Sequence, residues 1–150
     1  MPLFIVRHAK AGSRSRWTEE DTSRPLTRDG ISQSETIALR LAPLNPSVLI
    51  SSPYLRCTQT LEPLSQHCGL DIDIDHRLSE GSPLEIGFAV LEDAPDNAVL
   101  CSHGDVIEDM VNALLRRGTD VDSTMRSPRK GSIITVNHVN KLFTSATYWD

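Results

Sequence analysis

The sequence predicts an α/β chain folded as a three-layer α/β/α sandwich, with a mostly parallel central sheet and a C-terminal hairpin. Three observations predict it. Short apolar runs alternate with longer segments of helical period, the pattern of strand–helix–strand units. The links between the first four strand-like runs are long enough to hold a helix, so those strands run parallel. The last two runs are separated only by Asn140-Lys141, so they pair antiparallel. At 150 residues the chain is read as a single domain, large enough to bury about 70% of its unfolded surface.

The elements follow in order. Residues 2–6, Pro-Leu-Phe-Ile-Val, form a buried strand. A polar loop then runs to Arg24. Thr27 is the expected N-cap of a helix over 28–42, whose inner face reads Gly30, Ser34, Ile37, Ala38 and Leu41. Pro43 and Pro46 end it. Residues 48–51 are a second short strand, and 54–68 a helix stopped by Gly69. Residues 70–75 alternate apolar and acidic side chains, as a strand with one wet face does. A shorter helix is expected within 83–91 and a fourth strand over 97–101. In the helix after Asp105, Ile107, Met110, Val111, Leu114 and Leu115 fall on one face, and Gly118 closes it. Strands over 132–139 and 142–149 complete the chain.

Composition narrows the function. With 39% hydrophobic residues the chain is not disordered, and no apolar run approaches the ~20 residues of a membrane span. The N-terminus lacks a cationic region followed by a long apolar stretch, so no export signal is expected. Three cysteines without a Cys-x-x-Cys pair fit reduced thiols, and the expected location is the cytoplasm. A net charge of -5 argues against nucleic acid as a partner. Against it, Arg7, Lys10, Arg14, Arg16 and Arg24 cluster near the N-terminus. A local cationic mouth on an acidic protein suits a small phosphorylated group.

The first strand empties directly into Arg7-His8. Arginine offers a planar fork of donors for phosphate, and a neutral imidazole is a competent nucleophile. Three further segments share the position after a strand: Ser51-Ser52-Pro53-Tyr54-Leu55-Arg56-Cys57-Thr58-Gln59-Thr60, Leu78-Ser79-Glu80-Gly81 and Cys101-Ser102-His103-Gly104. In a parallel sheet these loops meet at one edge, where open α/β folds bind ligands. Phosphoryl transfer needs an in-line nucleophile and donors around the equatorial oxygens. His8 is the candidate nucleophile, kept neutral by the surrounding cations, with its other nitrogen held by an acceptor such as a backbone carbonyl. Arg7, Arg56 and His103 are the candidate donors, and the helix after Pro53 offers backbone N–H groups. No metal-ligand spacing such as His-x-x-x-His is present, and no cofactor is expected.

As an ordered set, these motifs resemble the histidine phosphatase superfamily, the phosphoglycerate-mutase-like fold. Arg7-His8-Ala9-Lys10-Ala11 with Arg24-Pro25-Leu26-Thr27 and Gly30 looks most like its short branch, the SixA-type phosphohistidine phosphatases. Residues 10–17, Lys-Ala-Gly-Ser-Arg-Ser-Arg-Trp, are also similar to the phosphatase domain fused to Nudix hydrolases in actinobacterial proteins. The resemblance covers roughly residues 3–135 and implies a metal-independent phosphatase that forms phosphohistidine at His8. It places Glu80 where the family has its general acid, although Gly81-Ser82-Pro83 match that branch poorly. Glu85 and Asp105 are rival proton donors.

Lys10, Arg14 and Trp17 are candidate substrate-binding residues, Trp17 either stacking on a substrate or packing over its own loop. His67, His76 and His138 match no motif and read as structural or surface residues. Cys57, Cys68 and Cys101 read as small core residues. Ala9 departs from the Gly common in the superfamily, as the short branch does. No segment is long enough to form the lid of a mutase, so an open pocket is expected. Protein phosphohistidine is the leading substrate class, phosphorylated nucleotides or small metabolites the alternative. A non-catalytic phospho-ligand module is a third reading, opposed by the intact Arg7, His8, Arg56 and His103.

Overall fold

The computed structural model describes residues 1–122 and 127–149. Its chain order is β1 (Pro2–Arg7), α1 (Arg28–Leu41), β2 (Val48–Ser51), α2 (Leu55–Cys68), β3 (Ile72–Ile74), α3 (Leu84–Asp93), β4 (Ala98–Ser102), α4 (Gly104–Arg116), β5 (Asp120–Val121), β6 (Ile133–Val139) and β7 (Leu142–Tyr148). The strands form one seven-stranded sheet in the order β3-β2-β4-β1-β6-β7-β5. β1, β2, β3 and β4 run parallel, whereas β6 lies antiparallel to β1 and to β7.

β1 sits inside the sheet, which is why its residues are apolar on both faces. Leu3 and Ile5 enter a core with α3 and α4, including Leu91, Ile107, Met110 and Leu114. Phe4 and Val6 enter the opposite core with α1 and α2, including Ile37, Leu41, Leu61 and Leu64. The alternation along one strand thus builds both interfaces of the expected sandwich. Truncating a fully buried leucine such as Leu61 would cost about 2–5 kcal/mol.

Local signals set the element ends. The Thr27 side chain accepts from Gly30 N–H and caps α1, and Gly69 closes α2 at φ 67°. Asn140 and Lys141 both have positive φ, as a two-residue hairpin turn between β6 and β7 requires. Gly30 lets α1 lie against the loop after β1. A Cβ there would stand 2.0 Å from the Lys10 carbonyl oxygen.

Four details differ from the expectation. β3 keeps only three residues, because an edge strand pairs on one side. β4 is shifted one residue, to Ala98–Ser102. Leu115 is 52% exposed at the margin of the α4 stripe, where the drift of a 3.6-residue period carries it past the core. β5, only two residues long, carries no readable period.

The topology decides what reaches the active edge. β1, β2 and β4 all end there. Because β6 is antiparallel, its beginning arrives at the same edge, Val6 facing Ile133. Gly131 N–H donates to the carbonyls of both Arg7 and His8 at 3.1 Å, tying the segment before β6 to the end of β1.

Candidate active site

His8 follows β1 and is fixed to the neighbouring strand by its own N–H, which donates to Ser102 O at 3.1 Å. Its Nδ1 lies 2.8 Å from Ala9 O. A carbonyl only accepts, so Nδ1 carries the hydrogen and Nε2 keeps its lone pair. The ring is 5% exposed, and its pKa is pushed down to about 3. Burial is the largest cause; the Ala9 carbonyl opposes it, and the smaller positive potentials of His103, Arg56 and Arg7 add to it. The sequence reading credited the cations; removal from water outweighs them.

The donors come from separate elements. Arg7 ends β1, donates through Nη1 to Pro128 O at 2.5 Å, and lies flat against Gly104, where a Cβ would stand 2.8 Å from its Cζ. Arg56, in the first turn of α2, is fully buried. Its fork donates to Asp21 O at 2.9 Å, to Asp21 Oδ2 at 3.0 Å and to Glu80 Oε1 at 3.3 Å. His103 precedes α4. Its Nε2 lies 2.8 Å from Ser52 Oγ, and its buried Nδ1 has no hydrogen-bond partner, 4.0 Å from Glu80 Oε1. Thr60 Oγ1 accepts from Ala9 N–H at 2.9 Å and donates to Arg56 O at 2.6 Å, joining the nucleophile loop to α2.

These groups surround a cavity of about 700 Å³ walled by Arg7, His8, Arg14, Arg24, Glu80, Asp105 and Lys130. Arg56 and His103 lie behind that wall. Glu80 accepts from Arg14 Nη2 at 2.9 Å as well as from Arg56, so a carboxylate occupies donors that suit a phosphoryl oxygen. Asp105 also lines the cavity, and its Oδ2 accepts from Gly81 N–H at 2.8 Å, anchoring the turn that carries Glu80.

The structure therefore brings together Arg7, His8, Arg56, His103 and Glu80, with Arg14 at the mouth. Besides Arg56 and His103 behind the wall, two further candidates fall outside the cavity lining. Lys10 is exposed, its Nζ 3.9 Å from Asp29. Trp17 donates its indole N–H to Glu20 O at 2.9 Å and packs over its own loop. Glu85 lines a different groove, between α3 and α4, which leaves Glu80 and Asp105 as the acids at the site. Sequence reasoning missed Asp21, Ser52, Thr60 and Lys130. Ser52 and Thr60 stand within the segment that drew attention to Arg56; Asp21 and Lys130 sit in loops with no pattern to single them out.

A model of the histidine phosphatase superfamily, branch 1, matches residues 3–85, more than half of the chain. The chain belongs to the histidine phosphatase superfamily. Within it, the chain is 31% identical over 141 residues to an 8-oxo-(d)GTP phosphatase of Mycolicibacterium smegmatis, covering 87% of this chain and 42% of that one. It thus spans less than half the length of that relative. The fold of the histidine phosphatase also matches the protein histidine phosphatase SixA complexed with tungstate, at TM-score 0.75 and 22% identity over 100% of this chain and 95% of the other. A mycobacterial glucosyl-3-phosphoglycerate phosphatase matches at TM-score 0.71 and 15% identity, over 99% and 98%. The matched segment contains Arg7, His8, Arg56 and Glu80, four of the residues that the sheet edge gathers, and ends before His103.

Proposed function

We propose that this histidine phosphatase hydrolyses its substrate in two steps through phospho-His8, without a metal ion. The observation that carries the reading is His8 itself, a buried neutral imidazole with Nδ1–H spent on Ala9 O and Nε2 left as nucleophile. Nε2 forms a bond to phosphorus while the bond to the leaving group breaks, the electron pair departing with that group. Water then attacks phospho-His8, orthophosphate leaves, and the neutral imidazole returns. Arg7, Arg56 and His103 Nδ1 supply donors for the three phosphoryl oxygens. Among the described residues no three His, Cys, Asp or Glu side chains cluster as metal ligands would.

The substrate class follows from the leaving group. Glu80 is engaged by Arg14 and Arg56, an arrangement that favours substrates needing little proton donation. Protein phosphohistidine meets that condition, and the cavity beside His8 is open enough for a side chain displayed on a partner protein. A phosphoanhydride meets it equally, and the 8-oxo-(d)GTP phosphatase among the relatives favours this second reading.

The test is brief exposure to a labelled phosphodonor in the presence of chelator. Acid-labile, base-stable phosphate on the protein that disappears in His8→Ala is expected. Label persisting in that variant, or activity lost to chelator and restored by a divalent ion, would sink the mechanism.

A further inference from the structure

Among the cations that wall the cavity, Lys130 is unlike the others. Arg7 donates to Pro128 O, Arg14 to Glu80, and Arg24 to Asp21 and Gly12 O. Among the described residues, no hydrogen bond or ion pair reaches the Lys130 ammonium. Instead, the charges bearing on it are led by Arg7, Arg24, Lys10 and Arg14, all positive. These and partial burial hold its pKa below the ordinary lysine value, burial being the larger cause. An ammonium without a partner of its own, on the wall of a cavity that Arg7, Arg14 and Arg24 also line, is available to an anion that enters it.

Its backbone is also held in place. Gly131, the next residue, donates to the Arg7 and His8 carbonyls, so Lys130 is anchored about one Cα step from the nucleophile loop. Arg7 grips the same segment through Pro128 O. Lys130 therefore lines the same cavity as Arg7, His8 and Arg14.

We propose that Lys130 is a specificity-determining residue that takes the second phosphate of a phosphoanhydride substrate, a nucleoside diphosphate in class, while Arg7, Arg56 and His103 hold the phosphoryl being transferred. The inference rests on the phospho-His8 reading and chooses between its two substrate classes. The terminal phosphorus bonds to His8 Nε2 and the bridging P–O bond breaks. Its electron pair stays on the departing nucleoside monophosphate, whose new terminal oxygen remains paired with Lys130. Water later releases orthophosphate from His8. A phosphohistidine side chain has no second phosphate for this ammonium, so Lys130 would gain nothing from it.

Binding separates this role from catalysis. The whole protein is titrated with methylenediphosphonate, which cannot be hydrolysed, and with methylphosphonate. The wild type should bind the diphosphonate about tenfold or more tightly, the scale of one hydrogen bond to a charged group. Lys130→Ala should abolish that preference, and Lys130→Arg should keep most of it. The proposal is overturned by no preference in the wild type, by no measurable diphosphonate binding, by a preference that survives Lys130→Ala, or by equal weakening of both ligands. If the preference follows Lys130 while His8 takes no label, the phospho-His8 reading fails and the second-phosphate site stands.

Discussion

Ser52 Oγ and His103 Nε2 lie 2.8 Å apart, wholly inside the protein, so the hydroxyl and the imidazole set each other's hydrogen. A hydroxyl donating to Nε2 leaves the hydrogen on Nδ1, the nitrogen that has no partner in the protein. Ser52→Ala should free that tautomer and lower kcat about 10- to 100-fold, the cost of one buried polar group left unpaired. Ser52→Thr, which restores the hydroxyl, should recover most of the loss. A loss of the same size in both variants would mean Ser52 contributes only packing.

His8 makes stability depend on pH. In the unfolded chain it takes up a proton near pH 6.5, whereas in the folded protein it does so only near 3. Between those values the unfolded state holds one more proton, so stability rises with pH and is lost as pH falls. The slope from this residue is about 1.4 kcal/mol per pH unit. Urea unfolding at a series of pH values from 6.5 to 4 should show a shallower decline in His8→Asn. Parallel curves would place the missing proton on another group.

Glu80 separates leaving groups. Expelling an alkoxide calls for proton donation, typically worth about 10²- to 10⁴-fold; expelling a phosphate, an imidazole or an acidic phenol calls for far less. Glu80→Gln should therefore cripple alkyl phosphate hydrolysis and largely spare anhydrides, phosphohistidine and activated aryl phosphates. Equal kcat/KM losses on all of them would make Glu80 a residue that shapes the pocket. Asp105→Asn is the companion measurement, since Asp105 also faces the cavity and holds the Gly81 turn.

Gly30 tests the seam between α1 and the nucleophile loop. Its missing Cβ would meet the Lys10 carbonyl at 2.0 Å, a backbone atom that cannot swing aside. Gly30→Ala should therefore lower stability by about 1–3 kcal/mol, despite the better helix propensity of alanine. Unchanged urea midpoints would show that the helix slides away at no cost.

The layers and the strand directions were readable because periodicity reports burial, and burial on both faces of β1 leaves an uninterrupted apolar run. The candidate site residues were readable for another reason: each follows a strand. What stayed hidden is the set of groups that orient those residues. Ser52, Thr60 and Asp21 act through single hydrogen bonds between loops distant in sequence, and such bonds leave no period. Lys130 was hidden by topology, since only the antiparallel placement of β6 brings its loop to the active edge. Lys10 and Trp17 misled because closeness to His8 along the chain does not set where a loop side chain points.

The neighbours of β1 have a consequence for how this protein comes to life. β1, which ends at Arg7, is made before the strands it pairs with: β4, whose Val99 pairs with Phe4, and β6, whose Ile133 pairs with Val6. Closing loops of that length delays the pairing until late in folding. During synthesis, the nucleophile strand must wait, unpaired and apolar, while most of the chain emerges from the ribosome. A nascent chain halted before β6 would carry every motif of the site and still lack the wall that seats it, so hydrolysis should begin only once the sheet is filled.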